Sequence, residues 1–163
     1  MDHDTLVKQA KHWIWSQGCC VVITEMTSAA SEEPDIIGFL PGYSIVIECK
    51  TSRADFLNDK HKCHNRSISE NMGDQRYYYA PRGIISVDEL PDGYGLLEPY
   101  GRGITVRKSA RFRPKKNHQG EISMLVSTLR RIKGVSPPGA NIKIYREGWN
   151  KKARATLGIK ECQ

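Results

Sequence analysis

Pro34-Asp35-Ile36-Ile37-Gly38-Phe39-Leu40-Pro41-Gly42-Tyr43-Ser44-Ile45-Val46-Ile47-Glu48-Cys49-Lys50 is the stretch on which the reading turns. Pro34 to Leu40 and Ser44 to Lys50 are two β-forming runs. Pro41-Gly42-Tyr43 between them is a tight turn, so the runs are expected to pair antiparallel. Side chains alternate along a strand. Ile45, Ile47 and Cys49 therefore face one way, and Val46, Glu48 and Lys50 the other. Glu48 and Lys50 stand side by side at the strand end. The hairpin folds Asp35 back beside them, because both lie at the end away from the turn.

Outward from this hairpin, Thr5 to Gln17 has one apolar helical face in Leu6, Ala10, Trp13, Ile14 and Gln17, with Asp4 as N-cap and Gly18 as stop. Trp13 is expected to be buried and Trp15 partly exposed. Cys19 to Glu25 reads as a strand and Met26 to Glu33 as a loop. Thr51-Ser52 offers an N-cap for a helix from Arg53 to about Cys63, with Asp55 three residues after Ser52. His64 to Arg76 reads as a mobile loop and Tyr77 to Ala80 as a short strand. One helical turn at Val87 to Leu90 follows, then a hairpin of Tyr94 to Glu98 and Gly103 to Arg107. Glu121 to Lys133 reads as a helix, with Ile122, Leu125, Val126, Leu129 and Ile132 on one side. This order predicts an α/β fold, a mixed central sheet flanked by helices. Residues 1–134 are expected to form one domain, and 135–163, opening on Pro137-Pro138-Gly139, a basic C-terminal extension.

The chain of 163 residues is long enough to bury a core without staples, and its 39% hydrophobic and 26% charged content is that of a globular protein. A net charge of +7 suits an anionic partner, nucleic acid first and a membrane surface second, but also ordinary solvated faces. The basic excess lies from Arg102 to Arg113 and from Lys143 to Lys160, where Glu147 is the lone acid. No stretch approaches the roughly 20 apolar residues of a spanning helix, and Met1 to Lys11 has no apolar signal core. The five cysteines, Cys19, Cys20, Cys49, Cys63 and Cys162, are odd in number and irregularly spaced. That pattern points to reduced thiols and a cytoplasmic location.

Two carboxylates and an ammonium at the end of an apolar strand call for a counter-charge, since close carboxylates stay ionised only with compensating positive charge. A divalent cation supplies it, and Mg²⁺ in particular takes one or two carboxylates together with substrate phosphate oxygens. The same spacing also suits a strand-end salt bridge.

The string Glu-Glu-Pro-Asp-Ile-Ile-Gly-Phe at 32–39, a turn, and Ser-Ile-Val-Ile-Glu-Cys-Lys-Thr-Ser-Arg-Ala-Asp-Phe at 44–56 resembles the core of the PD-(D/E)XK nuclease superfamily. The likeness is strongest to MmcB-like DNA-repair nucleases and related phage and bacterial proteins. It covers about residues 4–107 and is most specific from Asp35 to Lys60. It implies a restriction-endonuclease-like αβββαβ core and a Mg²⁺- or Mn²⁺-dependent deoxyribonuclease of DNA repair, recombination or phage DNA metabolism. Asp35 and Glu48 would hold the metal with the Cys49 carbonyl as a third ligand, and Lys50 would be the catalytic lysine. Many members add a glutamate from the first helix. Thr5 to Gln17 contains no acid, so Glu25 is the candidate for that place. The alternative is a non-catalytic module that binds nucleic acid or recruits a repair partner; a homodimer is a further expectation.

Arg53, Lys60, Lys62, Arg66 and Arg76 flank the candidate site in sequence and are candidates for phosphate contacts. Lys108 to Lys116 and Lys143 to Lys160 are candidate clamps. Tyr77-Tyr78-Tyr79 is expected in the core, with base stacking as the rival role. His61, Cys63 and His64 invite zinc but lack a second ligand pair.

Overall fold

In the computed structural model, residues 1–28, 30, 32–65, 71–113 and 115–135 are described, the side chains of 61–65, 130 and 132–135 excepted. The elements are α1 (His3–Ser16), β1 (Val21–Thr24), β2 (Ile36–Leu40), β3 (Tyr43–Cys49), α2 (Arg53–Asn65), β4 (Gln75–Tyr79), β5 (Gly95–Tyr100), β6 (Gly103–Lys108) and α3 (His118–Val135). A short 3-10 turn at Val87–Glu89 precedes β5.

The six strands form one sheet in chain order, β1-β2-β3-β4-β5-β6. β1, β2 and β3 are an antiparallel meander, β4 and β5 add parallel to β3, and β6 returns antiparallel. The fold is therefore α/β with a mixed sheet and flanking helices, as the element order implied. The parallel trio puts the carboxyl ends of β3, β4 and β5 on one edge, together with the end of β1 and the start of β2.

Strand alternation divides the core. Ile45, Ile47, Cys49, Tyr77, Tyr79 and Leu97 pack under Leu6, Val7, Ala10 and Ile14 of α1. On the opposite face, Val46 packs with Ile37, Met72 and Met124 of α3. Phe56 of α2 packs with Tyr78, Tyr94 and Leu96. The three tyrosines are thus core, as expected, with Tyr78 edge-on to Phe56 and stacked on Tyr94. Gly38 lets α1 approach β2: a Cβ there would fall 2.6 Å from Cys19 Sγ and 2.7 Å from Ile14 Cδ1.

Several sequence expectations are corrected. The N-cap of α1 is Asp2, which accepts from Thr5 N at 2.8 Å, so Asp4 sits inside the first turn. Trp13 is half-buried at the rim of the core, edge-on to Tyr77. The segment read as a mobile loop from His64 to Arg76 is anchored at its end: Asn71, Met72 and Asp74 are buried, and β4 begins at Gln75.

The predicted apolar side of α3 is also misplaced. Ile122, Val126 and Leu129 are 53%, 48% and 57% exposed, whereas Met124 is buried. Glu121 sets this rotation. Its Oε1 accepts from Ser44 Oγ at 2.6 Å and Gly73 N at 2.9 Å, while Lys116 Nζ lies 2.9 Å from its Oε2. Lys116 also pairs with Asp74 and donates to Ser44 Oγ at 3.0 Å. This buried knot turns Met124 and Thr128 inward and leaves Ile122 outward, and Lys116 is paired within it rather than free to clamp a duplex. Among the described residues no helix is long and apolar enough to cross a membrane. The described part ends at Val135, so the C-terminal extension, including Lys143 to Lys160 and Cys162, lies outside it.

Candidate functional site

Asp35, Glu48 and Lys50 meet at the carboxyl edge of the sheet. The pairing of Ile36 with Ile47 carries Asp35 to the end of β3, and Asp35 Oδ2 accepts from Cys49 N at 2.7 Å. In an extended strand the N–H and C=O of one residue point to the same side. The Cys49 carbonyl is therefore directed toward Asp35 as well. Glu48 and Lys50 are buried on the opposite face from Cys49.

Glu48 lies in a row of three buried charges. Arg76 Nη2 is 2.7 Å from Glu32 Oε1 and 3.3 Å from Glu48 Oε1, and Arg76 Nη1 donates to Met72 O at 2.7 Å. Arg76 also faces the Tyr94 ring at 5.4 Å. It is 1% exposed, which corrects its expected place on phosphates. Glu32 further accepts from Met72 N at 2.6 Å, tying down the segment before β2. Burial pushes the Glu48 carboxyl up to about 8; Arg76 opposes this and Asp35 reinforces it.

Lys50 Nζ is 3.5 Å from Asp59 Oδ2 of α2, which in turn accepts from Tyr78 Oη at 2.9 Å. Burial works against the Lys50 ammonium. The carboxylates of Glu48, Asp59, Asp55 and Asp35 outweigh it and hold the lysine above its ordinary value. Asp59 is a second carboxylate at ion-pair distance from the Lys50 ammonium. Cys49 is buried, and burial followed by Asp35 and Glu48 raises its thiol, so the side chain is inert and only its backbone serves the site.

Glu25 is placed beside Asp35, its N donating to Asp35 O at 3.0 Å. It adopts a left-handed backbone, φ 46°, a costly conformation for a residue with a Cβ. Its carboxylate reaches the site through His3: His3 Nδ1 lies 3.5 Å from Glu25 Oε1 and His3 Nε2 3.4 Å from Asp35 Oδ1. Among the described residues, His3, Asp4 and Glu25 have potential ligand atoms all within 4.8 Å of one another. The first helix thus does bring an acid, Asp4, to this edge.

Arg53 is engaged at the surface, its Nη1 donating to Glu89 Oε2 at 2.8 Å and Ile84 O at 3.1 Å. This pair pulls the Glu89 carboxyl down to about 2. Lys60 is half-buried in α2. Arg66 and the side chains of Lys62, His61, Cys63 and His64 lie outside the described residues. Sequence reasoning missed Glu32, Asp59 and His3. Asp55 and Asp59, four apart on the helix that leaves Lys50, were the available signal for Asp59. Nothing local marks Glu32 or His3, which depend on packing.

Asp35, Glu48 and the Cys49 carbonyl offer oxygen donors alone, which suits a hard divalent cation rather than zinc. Two adjacent carboxylates, one pushed up by burial and by the other, form the arrangement that such a cation relieves.

No protein-family model and no curated protein matches the chain. A solved structure, the SPO1766 protein of unknown function from Silicibacter pomeroyi, is similar at a TM-score of 0.60 and 23% identity, over 84% of this chain and 93% of that one. That similarity supports the fold.

Proposed function

We propose that this chain is a Mg²⁺- or Mn²⁺-dependent nuclease that hydrolyses phosphodiester bonds in DNA, acting in the cytoplasm of a bacterial or phage-infected cell. The observation that carries the reading is the convergence of Asp35, Glu48 and Lys50 at one strand end, with Asp35 clamped by Cys49 N at 2.7 Å. Asp35, Glu48 and the Cys49 carbonyl would hold the cation, and Glu25 would join them through a shift of His3. When bound, the cation lowers the pKa of a water and neutralises phosphoryl charge. Lys50 stays protonated at neutral pH, held above its ordinary value by its acidic neighbours. Its role is to orient the attacking water or stabilise the charged transition state, not to act as a base. Asp59 and Tyr78 aim the ammonium, and Arg76 fixes Glu48.

The test is incubation of single-stranded, duplex and branched DNA with Mg²⁺, Mn²⁺ or EDTA, using wild type, Glu48→Ala and Lys50→Ala. Metal-dependent cleavage lost in both variants is expected. Cleavage in EDTA, or cleavage surviving both substitutions, sinks the assignment. A second reading, a non-catalytic binding module, draws on Arg76: a guanidinium 3.3 Å from Glu48 already balances that carboxylate without metal. Binding with no cleavage under any condition favours it.

A further inference from the structure

The edge that carries Asp35 and Glu48 continues across the sheet to a second charged group. Cys49 pairs with Tyr79, and Tyr79 with Leu97. One residue further on, Lys50, Ala80 and Glu98 are aligned, as the bonds from Lys50 N to Tyr79 O and from Ala80 N to Leu97 O require. Glu98 therefore shares a face with Lys50, two strands or about 10 Å away.

Glu98 is 5% exposed, yet two arginines converge on it from solvent. Arg82 Nε lies 3.5 Å and Arg107 Nε 3.4 Å from Glu98 Oε2. Both are ion-pair distances without hydrogen-bond geometry, and among the described residues Oε2 has no hydrogen-bond partner. The arginine side chains remain 71% and 55% exposed. The group carries two positive charges over one buried negative charge.

The backbone is shaped for this display. Leu96 pairs with Lys108 but Leu97 with Val106, so Arg107 is the extra residue of a β-bulge. Bulges re-aim a side chain, and here the bulge turns Arg107 over Glu98. Arg82 rides a tight turn closed by Ile84 N on Pro81 O, with Gly83 at φ 85°. Tyr100, two residues after Glu98 on the same strand, is 71% exposed at the tip of the β5–β6 hairpin.

We propose that Arg82 and Arg107, held by Glu98, grip the backbone phosphates of a single-stranded segment of nucleic acid, and that Tyr100 stacks on one of its unpaired bases. Arg82 and Arg107 are a pair of exposed cations over Glu98, on the sheet face that also carries the buried, Asp59-paired Lys50. Guanidinium forks match phosphate oxygens in pairs. An exposed aromatic beside them accepts any base. The inference rests on the nuclease reading only for the direction in which the strand runs, from this grip to Asp35 and Glu48.

The test is fluorescence anisotropy of a labelled single-stranded oligonucleotide against the full chain in EDTA, over a salt series. The double variant Arg82→Gln/Arg107→Gln removes both charges while keeping a polar side chain at each position. The slope of log affinity against log salt should become shallower by about 0.7 for each arginine removed. Tyr100→Ala should weaken binding by about fivefold or more with the slope unchanged. Arg111→Gln is the control: Arg111 pairs with the exposed Asp92 at the far end of β5, and its loss should change nothing.

If the double variant fails to fold, the two single substitutions carry the same comparison. An unchanged slope, equal weakening by Arg111→Gln, or no binding by wild type overturns the proposal. So does tighter arginine-dependent binding of polyglutamate, which would assign the surface to an acidic protein segment. Cleavage is scored separately in Mn²⁺. Cleavage by wild type with binding unaffected by the arginine substitutions sinks this inference and spares the nuclease reading. Arginine-dependent binding without cleavage does the opposite.

Discussion

Glu48 concentrates the chemistry of the site in one titration. Its carboxyl is pushed up to about 8 by burial, with Asp35 reinforcing the shift. Its proton is held more tightly than that of an ordinary carboxyl, and a divalent cation binding there competes with that proton. Cation affinity should rise about tenfold per pH unit and level off above about 8; calorimetry in buffers of different ionisation enthalpy would count the proton released. The stability consequence has the opposite sign. An acid whose folded pKa is raised binds more protons folded than unfolded, so its contribution falls as pH climbs from the ordinary carboxylate range toward about 8. The stability difference between wild type and Glu48→Gln in EDTA should drift against wild type across that window, and a flat difference would show Glu48 to be ionised throughout. Asp59 acts on Lys50 from 3.5 Å. Asp59→Asn should cost about 10- to 100-fold in cleavage rate, as loss of an orienting partner does, with substrate KM little changed. Equal losses in rate and KM would mean general disruption instead.

At the scale of elements, the hairpin β2–β3 was legible because two β-rich runs flank Pro41-Gly42-Tyr43 and because alternation separates Glu48 from Cys49. The partners that tune Glu48 were not legible. Arg76 looks like any surface arginine in sequence; only the parallel pairing of β3 with β4, Val46 opposite Arg76, slides it under Glu48. The outward stripe of α3 misled for a similar reason. Helical periodicity finds an apolar face, but Glu121, bonded to Ser44 and Gly73, decides which face turns inward. Two substitutions probe these elements. Arg76→Met leaves Glu32 and Glu48 as buried, unpaired acids and should destabilise by about 3–5 kcal/mol in denaturant unfolding. A loss under about 1 kcal/mol would mean that the acids simply take up protons. Gly38→Ala should cost about 1–3 kcal/mol, because the added methyl meets Cys19 and Ile14 and lifts α1 from β2. The lift also displaces His3, which begins α1 and bridges Glu25 and Asp35.

For the molecule as a whole, one edge of a six-stranded sheet gathers Glu25, Asp35, Glu48, Lys50, Glu98 and its arginines from the ends of β1, β3, β4 and β5, the strand start at Asp35 and the bulge of β6. That concentration follows from the parallel trio β3–β4–β5, whose carboxyl ends must coincide, and ligands of open α/β sheets commonly bind outside such ends. The opposite edge is closed by the buried group of Ser44, Asp74, Lys116 and Glu121. Lys116 lies 42 residues beyond Asp74, yet supplies the cation that buried carboxylate needs. A chain leaving the ribosome therefore exposes every strand of the sheet before it can neutralise Asp74. Nascent chains arrested just short of position 116 should stay protease-sensitive, and those carrying α3 clear of the exit tunnel should resist. Synthesis thus has a late commitment point, set by a lysine far from the chemistry.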